Sequence, residues 1–267
     1  GVVWSTKENP TLQLNEGVKR DDVADTGAFT VELPALFAST KYYVRAFAVN
    51  ASGTGYSEQV SFTTPAAAAG QTITDIDGNV YSIEQIGSQI WMVENLKVSK
   101  FSNGQNIPNV ISNLSWSTTR SAAWSYYDNN AFNNDTYGKL YNWYAATDPR
   151  GICPEGWQVP SSADWAVLSD YLGGDNVSGG KLKSNGSQDW DIPNTGATNE
   201  SGFSALPAGG RYSNGAYLNL GTYGSFWSTS SASNSYAKYR LLSHDTASFE
   251  ELEYFKSYGF SVRCVKK

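Results

Sequence analysis

The stretch TITDIDGNVYSIEQIGSQIWMVENL, residues 72–96, decides the architecture of most of the chain. Its first half has the pattern of a β-hairpin with the turn at Asp77-Gly78. The run over 89–96 predicts a further strand. The stretch therefore indicates a sheet built from short neighbouring strands.

The same stretch also begins like a calcium-binding loop. Asp75, Asp77 and Asn79 stand at alternate positions, as the first oxygen ligands of such a loop do. The acidic ligand that the loop requires at its twelfth position is missing, because residue 86 is isoleucine. The turn is therefore the favoured interpretation.

The composition of the 267-residue chain favours short strands and irregular loops. Seventeen Tyr, nine Trp and eleven Phe accompany 25 Gly, while charged residues make up only 16%. We therefore predict a mainly β or α+β fold. The net charge of −6, without long runs of one sign, indicates no nucleic-acid partner and no binding to an anionic membrane surface. No run approaches the ~18 apolar residues that span a bilayer.

The first 65 residues are predicted to form strands. The segment 40–50 alternates, a turn follows at 50–55, and 59–64 forms the second strand of a hairpin. The motifs in this region are Leu36, Thr40-x-Tyr42-x-Val44-Arg45, Asn50-x-x-Gly53 and Ser61-Phe62-Thr63-Thr64. They resemble the last strands of a fibronectin type III domain.

This resemblance implies a partial type III-like β-sandwich over 1–65, with Tyr42 as the corner tyrosine that bonds to nearby backbone. The family's first two strands have no counterpart, so we expect the chain to begin inside a domain. Such a sandwich would present an open sheet edge that a partner strand covers. Residues 66–70 are predicted to be a linker, and the second domain is predicted over 71–267.

One helix is clearly predicted in the second domain, over 161–172. A serine cap and an early aspartate begin it, and apolar residues at helical spacing follow. Gly173-Gly174 ends it. The rest of the domain is predicted to consist of short strands, turns and long loops.

Motifs spread over 72–265 carry a second resemblance. They are Asp77-Gly78-Asn79-x-Tyr81, Ile86-Gly87-x-Gln89-x-Trp91-Met92-x-Glu94-Asn95-Leu96, Tyr137-Gly138-Lys139-Leu140-Tyr141-Asn142-Trp143, Cys153-Pro154-x-Gly156-Trp157-x-Val159-Pro160, Gly202-Phe203-Ser204-Ala205-Leu206-Pro207-Ala208-Gly209, Phe226-Trp227-Ser228 and Ser257-Tyr258-Gly259-Phe260-Ser261-Val262-Arg263-Cys264. Together they resemble the Fibrobacter succinogenes major paralogous domain (FISUMP). The resemblance implies an exported protein of a bacterium such as a member of the Bacteroidota, located outside the cell or on the outer-membrane surface. It also implies a C-type lectin-like α+β domain with long irregular loops.

Cys153 and Cys264 are the two cysteines of the chain. Their separation excludes a CxxC redox pair and a thiolate metal cluster. The residues alone leave open both a pair of free thiols and one long-range bridge. The FISUMP resemblance implies the bridge, because the two end cysteines of that family match these positions. In the chain-entropy model such a bridge contributes roughly 4 to 5 kcal/mol.

Residues suited to catalysis are sparse. His244 is the single histidine, and neither a GxSxG elbow nor a phosphate-binding glycine loop occurs. A glycosidase would need two acids, for which Asp189 with Asp191 and the acidic run over 250–253 are the candidates. Both groups are interpreted as solvated loop acids. We predict that the protein is not an enzyme.

The segment NGSQDWDIPN, residues 185–194, offers what a sugar-binding site needs. Aromatic faces stack on the apolar side of a sugar ring, and amides and carboxylates bind its hydroxyls. In the C-type lectin fold that the resemblance implies, the long-loop region carries the ligand site. The predicted ligand-binding residues are Gln188, Asp189, Trp190, Asn194, Arg211 and Tyr212.

The same region supplies the hard oxygen ligands that calcium prefers. The candidates are Asp189, Asp191, Asn194, Asn199 and Glu200. The Glu-Pro-Asn calcium motif of true lectins is absent. Asn and Asp also populate loops simply because they accept turn geometry. Calcium therefore stays open as a cofactor.

Most of the aromatic residues are assigned to the core. Trp91, Trp143, Trp157, Trp165 and Trp227 lie in or beside the FISUMP motifs. A second group consists of Trp116, Trp124, Tyr126 and Tyr127. Core packing is the favoured interpretation of this group too, because a domain poor in aliphatic residues builds its interior from rings.

Two functions of different classes remain open. We favour a non-catalytic module that recognises glycan through the long-loop face. The alternative is a structural or protein-interaction subunit, such as an adhesin or an accessory component of an outer-membrane complex. The expected partner is therefore a glycan or a surface protein, with a lipid anchor or an outer-membrane assembly holding the chain at the surface. Exposed rings at Trp190 and Tyr212 would favour glycan.

Overall fold

The computed structural model describes residues 1–15, 17–19, 30–31, 33, 41–64, 71–186 and 188–267. The described chain is mainly β with short helices, as the composition predicts. It divides into two compact units, Gly1–Ala69 and Gly70–Lys267. The predicted linker at 66–70 lies outside the described residues. Within the described ranges, no helix has the length and apolar character that crossing a membrane requires.

The first unit contains an antiparallel sheet. Its strands in the described ranges are β1 (Val2–Ser5), β2 (Gly17–Lys19), β3 (Lys41–Asn50), β4 (Gly53–Tyr56) and β5 (Val60–Thr63). The long strand β3 pairs with β1, β4 and β5, and β1 also pairs with β2. The ten-residue strand β3 is therefore the centre of this sheet.

The predicted pairing of the segments 40–50 and 59–64 is confirmed, but residues 53–56 of the predicted turn region form strand β4, which also pairs with β3. Strand β3 pairs with β5 from Lys41 opposite Thr63 to Val44 opposite Val60. Tyr42 is buried, and its ring lies 6.0 Å from that of Phe62. Leu36 and most of the segment before β3 lie outside the described residues, so the type III-like sandwich stays a prediction.

The second unit combines two sheets with short helices. Its strands are β6 (Thr72–Thr74), β7 (Val80–Ile86), β8 (Gln89–Met92), β9 (Trp124–Ser125), β10 (Leu140–Asn142), β11 (Trp157–Gln158), β12 (Ala208–Arg211), β13 (Tyr217–Leu220), β14 (Tyr223–Ser231), β15 (Tyr236–Ser243), β16 (Phe249–Phe255), β17 (Gly259–Phe260) and β18 (Val265–Lys266). Its helices are α1 (Asn113–Thr118), α2 (Asn133–Tyr137), α3 (Trp143–Ala146), α4 (Ser162–Tyr171) and α5 (Asp175–Leu182). Long loops connect many of these elements.

The larger sheet of the second unit has the strand order β16-β15-β14-β12-β17-β10-β9, and β13 pairs with β12. The smaller sheet has the order β11-β18-β8-β7-β6. Strand β17 belongs to the larger sheet and β18 to the smaller one. The segment 259–266 therefore connects the two sheets.

The hairpin of β6 and β7 turns around the carboxylate of Asp75. Its Oδ1 accepts hydrogen bonds from the backbone N–H groups of Asp77 (2.9 Å) and Asn79 (3.0 Å). Its Oδ2 accepts a hydrogen bond of 2.6 Å from the Tyr81 hydroxyl. Gly78 adopts a φ of +84°, which suits a tight turn. The predicted turn is confirmed, and the Asp75 carboxylate stabilises it by binding backbone N–H groups of the turn.

Helix α4 confirms the helix predicted over 161–172. The Ser161 side chain accepts a hydrogen bond from the backbone N–H of Asp164, whose carboxylate accepts one from the backbone N–H of Ser161. This reciprocal capping box satisfies backbone donors at the start of the helix. Gly173 and Gly174, both at positive φ, end the helix.

Replacing Ser161 by alanine is expected to lower the free energy of unfolding by about 1 kcal/mol, because the variant loses the cap. Ser161→Asn is the control, since asparagine caps helices about as well as serine. The measurement is urea denaturation of the full chain. An equal loss in both variants would contradict the capping role.

Two clusters of buried side chains form the core of the second unit. One of them contains the disulfide together with Trp157 and Trp227. In the other, Trp165 of α4 stacks on Trp91 of β8 with ring centroids 4.5 Å apart. The assignment of these four tryptophans to the core is confirmed, and Trp143 packs partly buried against the first cluster.

The second aromatic group is interior as well. Trp116, Trp124 and Tyr127 are buried, and Tyr126 packs partly buried against the first cluster. Lys139 places its Nζ 4.7 Å from the centroid of the Trp124 ring. These rings therefore form core and not an exposed ligand stripe.

Cys153 and Cys264 form a disulfide bond, which confirms the bridge that the FISUMP resemblance implies. Both residues are buried. The bond joins a loop before α4 to the segment between β17 and β18, across 111 residues of sequence. It therefore fastens the middle of the chain to the segment that connects the two sheets.

Candidate functional site

Trp190 lies inside the second unit with only 1% of its surface exposed. Its Nε1 donates a hydrogen bond of 2.9 Å to the backbone oxygen of Ala205. The ring belongs to the core cluster that includes Leu168 of α4 and Leu182 of α5. A ring at this depth cannot stack on a ligand from solvent. Trp190 was expected to present an aromatic face to a ligand. This expectation is wrong, because the ring is packed in the core.

Arg211 is also buried, with no exposed surface. Its guanidinium donates hydrogen bonds to the backbone oxygens of Val110, Ile111 (3.0 Å) and Gly215 (3.2 Å). It lies over the ring of Trp116, 4.4 Å from the centroid. The expectation that Arg211 meets a ligand is corrected, because its donors hold a loop against the β12–β13 hairpin.

Lys183 is a buried cation that sequence reasoning missed. Its ammonium donates hydrogen bonds to the backbone oxygens of Thr195 (2.9 Å), Ser243 (2.9 Å) and Thr246 (2.8 Å). Burial lowers the pKa of Lys183 to about 8. The lysine thus ties the predicted ligand loop to the turn after β15. No sequence pattern around Lys183 predicts that it anchors these loops, because its three acceptors are backbone oxygens that every residue has.

Two acidic calcium candidates are bonded to neighbouring side chains. Asp191 accepts a hydrogen bond of 3.0 Å from the Thr222 hydroxyl, and Glu200 forms an ion pair of 2.8 Å with Lys181. In the described ranges, no three or more His, Cys, Asp or Glu side chains gather as a metal site would require. The structure therefore does not bring the three acidic calcium candidates together as one such group.

The amide candidates organise their own loops. Asn194 donates hydrogen bonds to the backbone oxygens of Ser184 (3.2 Å) and Gly186 (2.8 Å). Asn199 exchanges hydrogen bonds with Ser204, donating to its hydroxyl at 2.9 Å and accepting from its backbone N–H at 2.8 Å. Both asparagines have positive φ, so they serve the turn geometry that was the alternative reading of this region.

A cavity of about 210 Å³ opens on the larger sheet. Five tyrosines surround it, and we call it the tyrosine cavity. It is lined by Gly209, Gly210, Tyr212, Asn219, Tyr223, Ser225, Tyr239, Leu241, Tyr254, Tyr258 and Phe260. Of the six predicted ligand-binding residues, Tyr212 alone lines it. Gln188 is exposed and Asp189 is half-buried, and neither belongs to the lining.

Strand alternation places these side chains on one face of the sheet. Phe226 of β14 and Leu242 of β15 point to the core cluster under α4. Their neighbours Ser225, Tyr239 and Leu241 point the other way and line the cavity. The alternating sequence of β14 and β15 therefore turns one face toward the cluster under α4 and the other toward the cavity, whose Tyr239, Tyr258 and Phe260 also belong to the first core cluster.

Two glycines of β12 that line the cavity pack closely against neighbouring strands. A Cβ on Gly210 would lie 2.9 Å from the ring of Phe260, which is closer than side chains pack. Gly209 has a φ of +60°, and a Cβ there would lie 2.5 Å from the backbone oxygen of Leu218. Positions 209 and 210 therefore require residues without side chains.

The tyrosine rings are stacked against one another. The Tyr258 ring lies 4.9 Å from that of Tyr212, with 15° between the planes, and 4.3 Å from that of Tyr254. Asn219 donates a hydrogen bond of 2.6 Å to the Tyr212 hydroxyl. These contacts hold the rings in fixed positions before any ligand arrives.

Burial raises the pKa of the phenols of Tyr212, Tyr239 and Tyr258 above the ordinary value for tyrosine. These hydroxyls therefore stay protonated at neutral pH and can both donate and accept hydrogen bonds. The cavity combines apolar ring faces with neutral hydroxyl and amide groups.

A larger depression of about 700 Å³ lies around residues 146–159. Two of its charged side chains, Arg150 and Asp148, bond to each other through hydrogen bonds of 2.7 Å. The Arg150 guanidinium also covers the Phe101 ring at 3.7 Å. Because this arginine and this aspartate are already paired, and because the tyrosine cavity combines ring faces with neutral polar groups, the tyrosine cavity is the better candidate site.

The residues considered for catalysis are dispersed. His244 lies with its Nδ1 3.2 Å from the backbone oxygen of Ile192. Glu250 and Glu251 are adjacent in β16 and so project from opposite faces of the sheet. Glu251 pairs with Lys238 at 2.6 Å. The absence of enzymatic activity stays a prediction.

The fold and the site together define a mainly β domain, closed by one disulfide, with an aromatic cavity on its larger sheet. The family model of the Fibrobacter succinogenes major domain (Fib_succ_major) matches residues 85–266, and the chain belongs to this family. This confirms the FISUMP resemblance. The family is a bacterial surface-associated domain. Comparisons with curated proteins and with solved structures found no match.

Proposed function

We propose that the second unit is a non-catalytic module of the bacterial cell surface that recognises glycan at the tyrosine cavity. The observation that carries the proposal is the lining, which combines five tyrosines and Asn219 with two glycines. Sugar rings offer an apolar face to aromatic rings and hydroxyls to neutral donors and acceptors. The cavity supplies both kinds of contact in fixed positions.

The proposal includes the location of the protein. An extracellular or outer-membrane position fits the family and the buried disulfide, because disulfides persist outside the reducing cytosol. A lipid anchor or an outer-membrane assembly would hold the module there. The C-type lectin likeness of the fold belongs to the same proposal.

Tyr254→Ala is expected to weaken glycan binding at least about tenfold, which corresponds to about 1.4 kcal/mol. The variant loses a ring that lines the cavity and lies partly exposed at 37%. The measurement is calorimetric titration of the full chain with a panel of neutral methyl glycosides. Reducing-sugar release is followed in parallel.

Tyr236→Ala is the matched control. Tyr236 belongs to the same pair of strands, is exposed to 38%, and contacts the Phe255 ring outside the cavity. It is expected to bind like wild type. Equal weakening in both variants would speak against the cavity as the site, and release of reducing sugar would refute the non-catalytic role.

A protein-interaction role is the second candidate, and exposed apolar side chains favour it. Phe132 is 88% exposed, and Leu114 is 76% exposed. Asn129 donates a hydrogen bond of 3.1 Å to the backbone oxygen of Ile111, which connects the turn before Phe132 to the segment before Leu114. If wild type binds no glycoside, variants at Phe132 and Leu114 become the next test.

A further inference from the structure

We infer that the tyrosine cavity accepts a single uncharged sugar ring and discriminates against acidic sugars. This inference rests on the proposed function, because it names the class of glycan that the same site takes. It follows from the charges around the cavity, from the cavity's size and from its hydrogen-bonding groups.

The lining of the cavity carries no formal charge. All eleven lining residues belong to the described part of the chain, and each is glycine, tyrosine, asparagine, serine, leucine or phenylalanine. The raised pKa values of Tyr212, Tyr239 and Tyr258 keep these phenols neutral at physiological pH. A carboxylate that entered would therefore find no opposite charge within the cavity.

The cations nearest in sequence point away from the cavity. Lys238 and Arg240 alternate with Tyr239 and Leu241 along β15, so they project from the opposite face. Lys238 pairs there with Glu251 at 2.6 Å, and Arg240 with Asp175 at 2.7 Å. These positive charges are thus already neutralised on the other side of the sheet.

Two further cations adjoin the cavity-lining residues in sequence, and both are buried against other groups of the protein. Arg211 follows Gly210, but its guanidinium is buried against backbone oxygens of the loop before α1. Lys256 is buried, with its Nζ 4.2 Å from the centroid of the Trp143 ring. Neither side chain lines the cavity.

The charge beside the cavity is negative. Glu250 lies directly opposite Leu241 in the β15–β16 ladder, so both side chains project from the cavity face. Glu250 is exposed. An acidic ring would meet this carboxylate without a compensating cation, and like charges brought together oppose binding.

The volume of the cavity limits the ligand to one ring. At about 210 Å³ it is smaller than the roughly 300–1,000 Å³ of sites for drug-sized ligands. The protonated phenols donate to hydroxyls of the ring, and Asn219 contributes an amide. The further rings of a longer oligosaccharide would project into solvent and add few contacts with the protein.

The experiment compares two ligands that differ in one group, methyl glucoside and methyl glucuronide, alongside the corresponding galactosides. Calorimetric titration of the full chain is expected to give at least about tenfold weaker binding of the uronides. Oligomers of the best neutral sugar are expected to bind within about threefold of the single ring. Glu250→Gln is expected to strengthen uronide binding while the neutral glycosides bind as before.

The outcomes separate the inference from the proposed function. Equal or tighter binding of the uronides, or a steady gain with chain length, would overturn the inference and leave glycan recognition standing. If no sugar of either kind binds, glycan recognition fails. Tetramethylammonium is included as a further ligand because aromatic cages also bind such cations. If it binds and no sugar does, the ligand of the cavity is an alkylammonium cation and glycan recognition is refuted.

Discussion

Replacing Cys153 and Cys264 together by alanine is expected to lower the free energy of unfolding of the second unit by about 4 to 5 kcal/mol. The bond closes a loop with a sequence separation of 111 residues, so its removal restores a large conformational freedom to the unfolded chain. Both cysteines are buried, and alanine also leaves unfilled space around them. The measurement is urea denaturation of the full chain.

Reduction of the wild-type protein is the control for this prediction. The reduced wild type keeps the sulfur atoms in place and should approach the stability of the double variant. Addition of reductant to the variant should change nothing. A loss below about 1 kcal/mol on double substitution would contradict the expectation.

Lys183→Met is expected to lower the free energy of unfolding by about 3 kcal/mol. Methionine fills a similar volume, but three buried backbone oxygens lose their donor, each at a cost of about 1 kcal/mol or more. Lys181→Met is the matched control. Lys181 forms a partly exposed ion pair with Glu200, and such pairs contribute at most about 1 kcal/mol. Similar losses in both variants would contradict the anchoring role.

The pH dependence of stability tests the same lysine independently. The pKa of Lys183 is about 8 in the folded protein and near 10.5 when the chain is unfolded. Between these values the unfolded state binds the proton that the folded state has released, so this group makes stability rise with pH. Wild type should therefore show a more positive slope than Lys183→Met between pH 8 and 10.5. Tyrosine ionisation is common to both proteins and cancels in the comparison.

Local features of the fold could be predicted from the sequence. Helix α4 begins with a capping serine and ends at two glycines, and both signals lie within a few residues of the helix. The turn between β6 and β7 is likewise determined by Asp75 and its immediate neighbours. The disulfide could not be predicted from local sequence, which left both a bridge and free thiols open. The resemblance to a family decided between them.

The candidate site could be predicted only in part. Trp190 stands among polar residues, so its neighbours suggested an exposed ring, whereas packing between α4, α5 and the sheet buries it. Arg211 and Lys183 bond mainly to backbone oxygens far along the chain, which no motif records. Tyr212 was identified without its partners, because the cavity draws residues from six strands and the connections between them. The tyrosines at positions 239, 254 and 258, close together near the end of the chain, were the available signal.

The buried cations have a consequence for how this domain tolerates change. Lys183 holds Thr195, Ser243 and Thr246 by their backbone oxygens, and any amino acid in those places would offer the same atom. The anchors recognise the course of the main chain and not the identity of its side chains. Substitutions at these three positions therefore leave the attachment intact, and a library that randomises positions 195, 243 and 246 would keep it while renewing the side chains around it.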